Sequence, residues 1–137
     1  DHFASIALIN YDSTKNSAQI ATCGINPVLL YSVKTGTVNK ISTTSEPVGV
    51  DKNTVYKDID IKLNAGDILI TCTDGLLESL NEFGIQYSLT NLSKVVKDNH
   101  QLSGKEIANR VRDDIKKYCG TAQQYDDQSL LVVKIQG

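Results

Sequence analysis

The sequence predicts an α+β domain, and three observations carry that expectation. Short apolar runs punctuated by turn residues fill the chain as far as residue 73, two amphipathic helical stretches follow, and one more apolar run begins at Ser129. Residues 3–11 are mainly apolar, Asp12-Ser13-Thr14-Lys15-Asn16 supplies turn chemistry, and residues 18–23 resume a strand, so this part reads as a hairpin. Gly24-Ile25-Asn26-Pro27 breaks the chain. Residues 28–33 and 38–41 then read as two strands around the turn Lys34-Thr35-Gly36. Residues 42–53, with Pro47 and Gly49, form an irregular segment that is either a functional surface loop or a plain connection.

Residues 55–63 alternate in hydropathy with period two, which predicts a strand with one wet face. After Asn64-Ala65-Gly66-Asp67, residues 68–73 are apolar at successive positions, the pattern of a central strand covered on both faces. Leu89, Leu92, Val95 and Val96 mark one helix, and Ile107, Val111, Ile115 and Tyr118 mark another. Ser103 and Glu106 make a capping box for the second. Residues 129–135 close the fold as a second strand with a near-continuous apolar run. Hairpin connections imply mostly antiparallel pairing, with both helices against one sheet face.

At 137 residues the chain is expected to form one domain spanning 1–137. Fourteen basic and sixteen acidic side chains leave a net charge of −2, so no positive field favours nucleic acid or an anionic membrane surface. Cys23, Cys72 and Cys119 are too few and too widely spaced for a disulfide framework or a CxxC metal site. Reduced thiols in the cytoplasm are the expectation. No apolar run approaches the length of a membrane span.

The chemistry is expected at the ends of the two most buried strands. Asp74 follows residues 68–73, whereas Asp126 and Asp127 precede the last strand. If those strands are antiparallel neighbours, about 4.8 Å apart, the carboxylates meet on one sheet edge; if parallel, they lie a strand length apart. Converging carboxylates repel one another unless a cation joins them, and oxygen ligands favour Mg²⁺ or Mn²⁺ over zinc. The competing reading is structural, since Asp-Gly and Asp-Asp are common turn dipeptides.

Five stretches in order carry a resemblance. Thr73-Asp74-Gly75-Leu76-Leu77-Glu78, with Gly66-Asp67-Ile68-Leu69 before it, resembles the TDG-x-x-E element of bacterial PPM-type serine phosphatases of the SpoIIE and RsbU kind. Tyr125-Asp126-Asp127-Gln128-Ser129, leading into Leu130-Leu131-Val132-Val133, is similar to their closing element. Phe3-Ala4-Ser5-Ile6, Cys23-Gly24-Ile25-Asn26-Pro27 and Pro47-Val48-Gly49-Val50 resemble three further elements. Ile25 stands where that family has His, which leaves the turn an apolar packing role. The Asp-Gly-x-Gly-His-Gly motif that supplies the metal-bridging Asp is not in this sequence, so the chain reads as a domain cut at its N-terminus.

The resemblance implies an α-β-β-α sandwich of mostly antiparallel sheets, with the N-terminal portion absent. It implies metal ligation by Asp74 and Asp126, with Gly75 and Asp127 in support, and two Mn²⁺ or Mg²⁺ ions in the intact domain. A metal-activated water would hydrolyse phosphoserine on a regulatory protein, a phosphorylated STAS-type antagonist of an anti-sigma factor, and a sensor domain would precede the phosphatase in the parent protein. The chain alone would be inactive. Two alternatives stand beside this: a catalytically inactive phosphatase-like binding module, and a non-enzymatic α+β domain whose aspartates are turns.

Overall fold

The computed structural model describes residues 2–137. Two antiparallel sheets stack face to face, and helices cover one of them. The first sheet has the order β1-β2-β5, from β1 (Ile6–Asp12), β2 (Ser17–Cys23) and β5 (Ile59–Lys62). The second has the order β4-β3-β6-β7, from β3 (Val28–Ser32), β4 (Thr37–Ile41), β6 (Ile68–Cys72) and β7 (Leu130–Lys134). Three helices, α1 (Asp74–Leu77), α2 (Ser88–Asp98) and α3 (Gly104–Cys119), lie between β6 and β7 in the chain.

Alternation within the strands makes two cores. Ala18, Ile20, Val28, Ile41, Leu63, Leu69 and Ile135 meet between the sheets. Leu29, Tyr31, Ile68, Ile70 and Cys72 face the other way, onto Leu92 and Val96 of α2 and Ile107, Val111 and Ile115 of α3. No residue of the described helices enters the inter-sheet core, so the described residues form sheet, sheet and helix layers of the α-β-β-α sandwich expected for the intact domain. Leu8 points away from both cores and is 61% exposed.

The capping box is present: Glu106 N donates to Ser103 Oγ at 3.2 Å, and Ser103 N donates to Glu106 Oε2 at 3.0 Å. Asp67 is 2% exposed at the start of β6, where its carboxylate accepts from Val33 N at 2.9 Å and Asn64 N at 2.8 Å. It ties two turns together at the end of β6 away from Asp74.

Three expectations are corrected. The strand expected over residues 55–63 is only Ile59–Lys62. Beyond Ile20 the free edge of β2 is taken by the 42–44 segment, through Thr22 N to Thr43 Oγ1 at 2.9 Å and Thr44 N to Thr22 O at 3.0 Å, so residues 55–58 have no strand to pair with. The final strand is not among the most buried. Val132 meets the helical core and Val133 the inter-sheet core, but β7 ends the sheet, and its open edge leaves it half-buried. Finally, the residues after β6, a turn in the competing structural reading, form the single helical turn α1.

Candidate metal centre

The site begins where β6 stops. Thr73 is extended (φ −81°, ψ 161°) and precedes α1, yet its hydroxyl does not cap that helix. It accepts from Ser129 N at 3.0 Å, while Thr73 N donates to Ser129 O at 3.1 Å. The end of β6 is thus bound to the residue just before β7, extending the ladder in which Cys72 faces Leu130. Leu76 and Leu77 bury the inner side of α1 in the helical core, which leaves Asp74 exposed.

Asp126 arrives from the other strand. A methyl group on Gly75 would lie 3.1 Å from Asp126 Cβ and 2.2 Å from the Asp127 carbonyl oxygen, so the two segments touch, backbone on backbone, at Gly75. β6 and β7 are antiparallel neighbours, and Asp74, Gly75, Asp126 and Asp127 share one edge. Asp127 meets this junction through its carbonyl.

A third segment reaches the same edge. Asn26 Nδ2 donates to Asp74 Oδ1 at 2.5 Å. Asn26 lies where the chain passes from the first sheet to the second, between β2 and β3. Gly24 shapes that passage: its φ is +61°, and a Cβ there would lie 2.4 Å from Pro47 Cγ. The irregular 42–53 segment therefore supports the turn, with Pro47 packed on Gly24 and Thr44 O accepting from Gly24 N at 3.1 Å. Ile25 is half-buried, but the turn is not limited to packing, because its polar contact comes from the next residue. Asn26 and Thr73 are the participants that the sequence did not single out. Asn-Pro marked a turn, and nothing local to it named the carboxylate that it meets.

The donor set was tested against a divalent cation. Asp74 Oδ1 is used by Asn26, and Asp126 Oδ1 accepts from Asp127 N at 2.8 Å. The second oxygen of each has no protein donor among the described residues, and no Lys or Arg there lies within 4.0 Å of either carboxylate. Two hard, exposed oxygens without a protein cation fit as part of the shell of Mg²⁺ or Mn²⁺. No cluster of three His, Cys, Asp or Glu side chains able to hold a metal occurs among the described residues, so by themselves these residues offer at most part of a shell. Cysteine chemistry finds no support, since burial, aided by the Asp74 charge, pushes the Cys72 thiol up to about 11, and burial raises Cys119 as well.

Comparisons with known proteins find the same fold. The phosphoserine phosphatase RsbU of Bacillus subtilis (strain 168) is 26% identical over 132 residues, covering 96% of this chain and 39% of the relative. The SiaA-PP2C domain of Pseudomonas aeruginosa superposes with a TM-score of 0.80 at 20% identity, over 95% of this chain and 51% of that one. The manganese-presoaked phosphatase domain of the Bacillus subtilis cell-fate determinant SpoIIE gives 0.74 at 20% identity, over 97% and 57%. The chain thus spans between about two fifths and three fifths of these relatives. The family model for stage II sporulation protein E matches residues 1–136, nearly every position from which the two sheets, the helices and the carboxylate edge are built, and the chain belongs to the SpoIIE family.

Proposed function

We propose that this chain is the part of a metal-dependent phosphoprotein phosphatase domain that carries Asp74 and Asp126 as metal ligands, and that the intact protein hydrolyses phosphoserine on a regulatory protein of the STAS type. The observation that carries this reading is the placing of Asp74 and Asp126 on one edge of the sheet, in segments that touch at Gly75, with no Lys or Arg within 4.0 Å of either carboxylate among the described residues. A divalent ion held there would lower the pKa of a bound water and offset charge on the phosphoryl oxygens. The residues of this chain prepare that position. Asn26 holds Asp74 Oδ1 and leaves Oδ2 for a ligand, Thr73 fixes the end of β6 to Ser129, and Gly75 lets the backbone of residues 126 and 127 pack directly on the residue after Asp74. The remaining ligands, including a bridging carboxylate, would come from sequence outside this chain.

The test is made on the parent protein with Mn²⁺ and a phosphoserine substrate. Asp74→Asn and Asp126→Asn should each lower kcat by about 100-fold or more, because a ligand to the catalytic ion contributes several kcal/mol. The metal-free melting temperature should hold, since Asn keeps the size of Asp and an oxygen for Asn26. If Asp74→Asn unfolds the metal-free protein while activity per folded molecule persists, Asp74 is a turn residue and the assignment fails. A folded wild type that binds a phosphoprotein without turnover supports the inactive-module alternative.

A further inference from the structure

A cleft of about 630 Å³ opens beside the carboxylate edge, with Gly75 and Asp126 at one end and α3 along its side. Its lining includes Arg112 and Lys116, which are one helical turn apart on α3, over a floor containing Ile115. Arg112 is 64% exposed by side chain, and among the described residues Asp113 is its one carboxylate partner, at the outer limit of an ion pair, 4.0 Å. Lys116 has no carboxylate within 4.0 Å among the described residues. Lys116 belongs to the last turn of α3, where a cation favours the helix. Arg112 lies too far from that end for the same explanation.

The opposite wall is rich in amides. Gln124 Nε2 donates to Asp126 O and Gln128 Nε2 to Ser79 Oγ, both at 2.8 Å, while neither amide oxygen has a donor among the described residues. Tyr125 stands at the rim, 80% exposed. Amide oxygens that can accept backbone N–H groups, an exposed aromatic ring and two uncommitted cations describe a surface for an extended acidic polypeptide. Glu78 and Asp126 belong to the segments that form the carboxylate edge, so negative charge on the occupant is favoured at the α3 side and disfavoured close to the reacting phosphate.

We propose that this cleft receives the polypeptide next to the phosphoserine of the substrate, with acidic side chains of that polypeptide on Arg112 and Lys116; this rests on the phosphatase reading for the identity of the occupant. The parent protein is assayed with Mn²⁺ on three probes: a phosphoserine peptide flanked by glutamates, the same peptide flanked by alanines, and p-nitrophenyl phosphate. Arg112→Glu with Lys116→Glu should raise KM for the glutamate peptide about tenfold, with kcat unchanged, and should shift the other two probes by less than about twofold. Arg112→Gln with Lys116→Gln should fall between, and both variants should stay folded, melting no more than a few degrees below the wild type, because the side chains are exposed and only the helix-end charge of Lys116 contributes to stability. An unchanged KM for the glutamate peptide, or equal loss on all three probes, overturns the proposal. Fluorescence anisotropy of the labelled glutamate peptide on metal-free protein separates the two readings. Binding that the charge reversal weakens, in a wild type without turnover, sustains the cleft and sinks the phosphatase reading; no binding by wild type sinks the cleft.

Discussion

Gly75 is held to its identity by space. It lies inside α1, so its backbone conformation is open to any residue, but the first atom of any side chain would sit 2.2 Å from the Asp127 carbonyl oxygen, part of a backbone that cannot swing aside. Gly75→Ala should therefore lower stability by about 1–3 kcal/mol and move the Asp126 segment away from Asp74. Melting would report the first effect and a loss of Mn²⁺ response in the folded fraction the second. Unchanged melting and metal response would show that the two segments do not touch. Its companion Asn26 shows where residue-level reading of a sequence stops. The bond from Asn26 to Asp74 joins positions 48 apart, and a Gly-x-Asn-Pro turn states its own geometry without stating what it faces. Asp74 and Asp126 were legible because each ends or begins an apolar run, a local property that predicts a sheet edge.

The capping box of α3 offers a pH test at the level of an element. Backbone and side-chain hydrogen bonds with Ser103 hold the Glu106 carboxyl below the usual glutamate range. A depressed folded value means that the contribution is fully present above the unfolded value, about 4.3, and is lost as pH falls through the folded one. Glu106→Gln should keep the cap and flatten this part of the acid limb, whereas Ser103→Ala should cost about 1 kcal/mol near neutral pH and, by removing one of the bonds that hold the Glu106 carboxyl down, reduce this part of the acid limb as well. Melting curves from pH 7 to pH 3 check both, and a parallel acid limb in Glu106→Gln would refute the assignment. The box was visible in the sequence because all its parts lie within four residues. The limits of β5 and the half-burial of β7 were not, because each depends on a distant partner: Thr43 and Thr44 occupy the edge of β2, and no strand follows β7 in the sheet. Alternation and apolar runs report which faces are covered, not which edges are open.

At the scale of the molecule, two exposed carboxylates are a weak trap for a cation. This chain should bind Mn²⁺ with a Kd of about 1 mM or weaker, so that about 10 mM Mn²⁺ raises stability by at most roughly 1.4 kcal/mol. Asp74→Asn and Asp126→Asn should each abolish the shift, and a shift that survives both would place the cation elsewhere. No helix among the described residues is long and apolar enough to cross a membrane. The pairing of β6 with β7 also sets a timetable. Thr73 and Ser129, whose mutual hydrogen bonds close the carboxylate edge, are 56 residues apart, and both long helices lie between them. While the ribosome is still making that stretch, β3, β4 and β6 can already pair, but Asp74 stands at the rim of an unfinished sheet. Local contacts form early and those between distant residues late, so the proposed cation site is assembled by the last strand to dock. A nascent chain therefore pairs β3, β4 and β6 before the two proposed ligands can share an edge.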